Sequence, residues 1–327
     1  MISFEPRVKN TIAGGIVAVA AAVFPYAGFP QPQSEPADDV LLELADEIDR
    51  EQHQNGLLSE GLVEPLTTLS LVYQESGDHT LAIATLQRAL QIVRANRGLR
   101  SLEQAPLLRL SIRNEEARGN VAGAWELEQH LLELATRHPD ELRAVPIFRE
   151  VGDRRIALLD RYLAGETPPE IALGCYYQLG NVDEGSCTSG ARHAVVQGVL
   201  MDAWSSYLDA ISVYLRNELY TSDALHDLEM DLLRSSYLYG NYGLGNASLE
   251  RLLGYDIANS EPMSTQLEAL VRVADWDLLF GRITAAHRGY LDAYEQHRKA
   301  APASIARLFS PEQPIALPTF LQSPLAT

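Results

Sequence analysis

Cysteine is almost missing from this chain, with two among 327 residues. A pair with no histidine between its members is too few ligands for a zinc centre. Basic residues are also scarce. Lys+Arg 26 against Asp+Glu 44 leaves a formal charge of -18, which repels phosphate backbones and anionic headgroups and argues against a nucleic-acid partner. The catalytic signatures are absent as well: there is no Gly-Lys-Ser/Thr phosphate loop, no His-Glu-x-x-His zinc helix and no Gly-x-Ser-x-Gly elbow. Asn181, Asp183 and Gly185 lack the spacing and closing Glu of a calcium loop. The glycine-rich stretch from Gly240 to Gly245 follows a helix rather than a strand and reads as a turn, not a phosphate cradle. No cofactor is expected. What is present, 46% hydrophobic and 21% charged residues, is the composition of a globular chain.

One stretch, Leu62 to Gly98, has a spacing that identifies an architecture. Apolar periodicity runs through Tyr73, a turn falls at Gly77-Asp78, and a second periodic segment runs from Leu81 to about Val93. Leu66, Leu69, Ser70, Tyr73, Ala82, Leu86 and Ala89 occupy the large, Leu, small, Tyr, Ala, large and small positions of the tetratricopeptide signature. Small Ser70, Ala82 and Ala89 let two antiparallel helices approach, and the larger side chains fill the space around the crossing. Two positions depart from the pattern: Leu66 replaces Trp, and Arg94 stands where a proline closes the repeat.

A single hairpin cannot bury its apolar face, so neighbours are required. Setting Gly119 on Gly77, 42 residues on, places Leu108, Ala124 and Leu131 on pattern but puts Glu115 on Tyr73 and Glu128 on Leu86. Setting Gly281 on Gly77 gives Leu270, Val273, Ala274, Ala286, Tyr290 and Ala293, with Asp277 in place of Tyr. Between these lie an expected third hairpin over 141 to 164 turning at Val151-Gly152-Asp153, a glycine- and proline-rich insertion from 165 to 190, and a helix from Ala191 to about Tyr220. Thr221-Ser222-Asp223 then caps a helix through Leu238, and a short helix follows to Leu253. Trp125, Trp204 and Trp276 sit at helical spacing and read as core. The expected organisation is residues 1 to 34 as leader and linker, a helical block over 35 to 164, the insertion, a second helical block over 191 to 300, and an extended proline-rich tail over 301 to 327.

These hairpins resemble those of exported bacterial tetratricopeptide-repeat proteins, and the 42-residue period resembles the kinesin-light-chain type in spacing. The resemblance implies an all-α solenoid without chemistry of its own, whose concave, helix-A surface takes a peptide or partner protein. On that pattern the surface residues are Glu64, Thr67, Leu71 and Gln74; Arg109, Arg113 and Glu116; and Val271, Asp275 and Leu278. The commoner role for each of them is that of an ordinary solvated or inter-repeat residue. Arg109 and Arg113, four residues apart, suit a carboxylate.

The N-terminus carries Arg7 and Lys9, an apolar run from Thr11 to Phe24, then Pro25 and a polar stretch. It reads as a secretory signal peptide, with an uncleaved anchor as the alternative. Export to the periplasm or beyond makes Cys175 and Cys187 a disulfide closing the insertion; retention leaves two thiols. Two other classes stay open: a subunit of a self-assembling envelope complex, and an enzyme with its site at the insertion.

Overall fold

A computed structural model describes residues 35–179, 188–220, 222–258, 263–298 and 302–308. Every regular element among them is helical. The chain opens with α1 (Glu35–Asn55) and then pairs α2 (Val63–Glu75) with α3 (His79–Arg97) and α4 (Ala105–Ala117) with α5 (Val121–Thr136). The third pair is α6 (Val145–Leu163) with α8 (Ser189–Arg216), and α7 (Pro169–Leu179) is inserted between them. Then come α9 (Asp223–Tyr239) with α10 (Tyr242–Ala258), α11 (Met263–Leu279) with α12 (Ile283–His297), and the short α13 (Pro302–Leu308). Each pair packs on the next, and the result is an all-α, tetratricopeptide-like solenoid of helical hairpins.

Four of the five hairpins share one piece of backbone chemistry. Gly77, Gly119, Gly240 and Gly281 all take positive φ, between 71° and 83°, where a side chain is strained. In each turn the next N–H donates to a carbonyl five residues back: Asp78 to Tyr73, Asn120 to Glu115, Asn241 to Ser236 and Arg282 to Asp277, each at 2.8 Å. This closure satisfies carbonyls that the helix end would otherwise orphan. Five residues past each turn glycine stands a small residue, Ala82, Ala124, Gly245 or Ala286. At Gly245 a Cβ would overlap the Trp276 ring, so any side chain forces that ring to move. The turns entering α2 and α4 repeat as well. Gly56 and Gly98 have φ of 92° and 94°, and Ser59 and Ser101 then cap short 3-10 turns by accepting the N–H groups of Gly61 and Glu103.

The apolar interior runs without a break from Ile48 on α1 to Leu232 on α9, through Leu66, Leu86, Leu108, Leu131 and Phe148. Smaller clusters follow around α7, around Trp276, and between α11 and α13. Ser70, Ala82 and Ala89 are buried at the first crossing as the pattern requires.

Several expectations need correction. Residues 141 to 164 are not a hairpin, since α6 runs unbroken through Gly152. That glycine marks a helix crossing, where the Tyr207 ring of α8 occupies the place of a Cβ. The insertion is not all loop: Pro169 starts α7, proline at a helix start losing no hydrogen bond, and Ile171 and Cys175 are buried against α8. The stretch before Leu253 is a full helix, and α13 occupies the start of the tail. The leader at 1 to 34, Cys187, and the tail's Ile315, Leu317, Phe320 and Leu321 lie outside the described residues. No helix among the described residues is long and apolar enough to cross a membrane.

Candidate binding surface

The first helices of successive hairpins, α2, α4, α6, α9 and α11, form a row joined by side chains. Gln74 of α2 accepts a hydrogen bond from Asn114 of α4 at 3.1 Å. Arg109 of α4 grips Glu150 of α6 at 2.6 Å, and Arg154 of α6 returns to Glu116 of α4. Between α6 and α9, Arg149 reaches Asp231 at 3.0 Å and Arg234 reaches Asp160 at 2.7 Å. The rings of Tyr237, Trp276 and Phe280 then join α9 to α11 edge to face.

This row contains the residues that the repeat pattern nominates and shows what most of them do. Arg109 and Glu116 are inter-repeat ties, and Gln74 is a third. Thr67 returns its hydroxyl to the Val63 carbonyl at 2.7 Å. Asp275 accepts a 2.6 Å hydrogen bond from Tyr290 within its own hairpin, and burial pushes its carboxyl above the ordinary range. Val271 packs against the cluster of Leu267, Ala293 and Ile305, and Glu64 is exposed. Leu71, Arg113 and Leu278 also remain exposed. Arg109 and Arg113 therefore do not act as a free pair, because Arg109 already holds the carboxylate of Glu150.

The two acids that break the repeat pattern also have partners. Glu115 accepts from Asn120 at 2.8 Å and lies 3.4 Å from Arg118, bracing the α4-α5 turn. Glu128 lies inside, 2.6 Å from the buried Arg155 guanidinium, which stacks 3.9 Å over the Trp125 ring. Asp202 of α8 approaches the same guanidinium at 3.8 Å. Burial raises the Glu128 carboxyl even against the Arg155 charge. Beside this crossing Tyr207 donates to Asp153 at 2.8 Å. Burial, with the Asp153 and Asp227 carboxylates nearby, pushes Asp231 up to about 6 despite Arg149.

Sequence reasoning placed two helices on either side of Gly240 but did not match them to the repeat pattern. The match was available: Gly240 set on Gly77 puts Gly245 on Ala82 and Leu249 on Leu86. Allowing glycine at the small position would have found it.

No protein-family model and no curated protein matches the chain. Among solved structures it is similar to BtubC (BKLC) from P. vanneervenii, at 12% identity over 86% of this chain and 96% of that one, with a TM-score of 0.41. It is also similar to a Podosopora anserina structure described as kinesin light chain nearly identical TPR-like repeats, at 12% identity over 74% and 97%, with a TM-score of 0.41. The fold assignment rests on the hairpins and turns themselves.

Proposed function

We propose that the chain is a non-enzymatic scaffold whose row of first helices binds a segment of a partner protein. The observation that carries this reading is the row itself: five helices are tied one to the next by side-chain contacts, and on three of them Glu64, Leu71, Arg113 and Leu278 stay exposed. Repeat arrays use extended faces of this kind for recognition, while the fold alone names no partner. The test is cross-linking in the source cell with the full tagged chain, compared with a Leu71→Asp, Arg113→Glu, Leu278→Asp variant whose helicity is checked by circular dichroism. A partner lost only in the folded variant supports the reading. Identical recovery from both overturns it.

The reading extends to place. The basic start and apolar run of the leader, with two cysteines spaced for one loop, support export to the bacterial envelope and a Cys175-Cys187 disulfide. N-terminal sequencing of the mature protein, and thiol titration with and without reductant, test the two claims separately.

A further inference from the structure

The edge of the array opposite the hairpin turns carries a second site. Four successive turns, those leading into α2, α4, α6 and α9, are stitched together along it. Asn96 donates to the Leu58 carbonyl at 2.8 Å, His138 Nε2 pairs with the Arg100 carbonyl, and Asn217 donates to the Asp140 carbonyl at 2.9 Å. Along this edge Leu57, Leu58, Leu99, Leu219 and Tyr220 are exposed. Beside Leu219 and Tyr220 a pocket of about 210 Å³ opens between the end of α8, the start of α9 and the end of α10.

The pocket's surface is apolar. Leu215, Leu225 and Leu252 line it, with Tyr220 at one side and the Tyr255 ring tilted against His226 at the other. Its one deep carboxylate, Glu229, is already held by Arg251 and Ser248, so no buried charge awaits a ligand. Gly254 also lines the pocket, and a Cβ there would meet nothing; glycine costs helix stability at this position and keeps the space open.

We propose that this pocket docks one bulky apolar side chain of a partner protein's peptide, with basic residues flanking it in that peptide. The volume is below the roughly 300–1,000 Å³ of a drug-sized ligand site and suits a single anchor of the kind that dominates interfaces. Asp223 stands exposed at the mouth, Tyr255 donating to it, and Glu218 is exposed two residues before the lining Tyr220. With a chain charge of -18, the field there favours a basic peptide and disfavours a second copy of this chain or an anionic membrane. The proposal does not depend on the row of first helices, so each can fail alone.

The test titrates the full chain with acetyl-Lys-Trp-Lys-amide, its Ala-centred analogue and its Glu-flanked analogue, followed by ligand NMR. The expected result is saturable binding of the first peptide, weakened by about tenfold or more when Trp becomes Ala and weakened again with Glu flanks. Gly254→Leu fills the pocket from a position with room for it, so it should abolish binding while helicity and Tm hold. No saturable binding by the wild type overturns the proposal, as does undiminished binding by Gly254→Leu or a preference for the Glu-flanked peptide. A concentration-dependent dimer that Gly254→Leu dissolves also overturns it, by assigning the pocket to a second copy.

Discussion

Between α2 and α3 the helix crossing is filled by Leu66, Ser70, Ala82, Leu86 and Ala89, whereas where α5 meets α6 a buried guanidinium and carboxylate lie against an indole, with the half-exposed Asp202 of α8 at the edge. Both crossings keep the hairpin register. At the first, apolar burial and close approach do the work. At the second, Glu128 stands in the place of Leu86 and is tolerated because Arg155, from the next hairpin, neutralises it. The contrast teaches that four of the five hairpins keep one turn geometry, and that crossing residues can change chemistry if a partner changes with them.

Removing one side of the charged crossing should have the largest effect. Arg155→Ala leaves Glu128 buried without its cation, and urea unfolding should show a loss of about 3–5 kcal/mol. The double variant Glu128→Leu, Arg155→Met restores the first crossing's chemistry and should recover most of that loss. If Arg155→Ala costs no more than an exposed pair, the contrast collapses.

Two glycines of α10 sharpen the apolar side of the comparison. Gly245→Ala drives a methyl into Trp276 and should cost about 1–3 kcal/mol as overpacking. Gly254→Ala, facing open space in the same helix, should gain about 0.5–1 kcal/mol. Thermal melts of the two variants should move in opposite directions.

The α6-α9 junction should respond to pH in a way the α2-α3 hairpin does not. A carboxyl raised from 3.8 to about 6, as at Asp231, gives the fold stability that is complete below its ordinary value and lost as pH rises through about 6, because the native state binds the extra proton. Taking the wild type from pH 7 to pH 5 should therefore raise its stability relative to Asp231→Asn, by on the order of 1–2 kcal/mol. A difference that stays flat across that range removes Asp231 from the account. The smallest effect belongs to Arg109→Ala, whose half-exposed pair with Glu150 should contribute under about 1 kcal/mol, measured at low and high salt.

Much of this fold was legible in the chain because its signals are local. Gly77, Gly119 and Gly281 announce turns that close within six residues, and Ala82, Ala124 and Ala286 follow at a fixed offset. The candidate surface was legible only in position. That Arg109 would be occupied depends on Glu150, which lies a repeat away in sequence and is brought near by packing. Gly152 shows the same limit: its residue type suits a turn as well as a close crossing, and only Tyr207 decides between them.

The sequence by itself determined the helical class, the first and last hairpins and the acidic field, because periodicity, turn glycines and net charge need no knowledge of what lies across the interface. Only the tertiary structure decided that α6 pairs with α8 across the inserted α7, that the pattern-breaking Glu128 is an interior ion-pair partner, and that Gly254 leaves a pocket open. Those outcomes turn on which distant surfaces meet, and a helix's own residues specify the face it buries without specifying the neighbour that buries it.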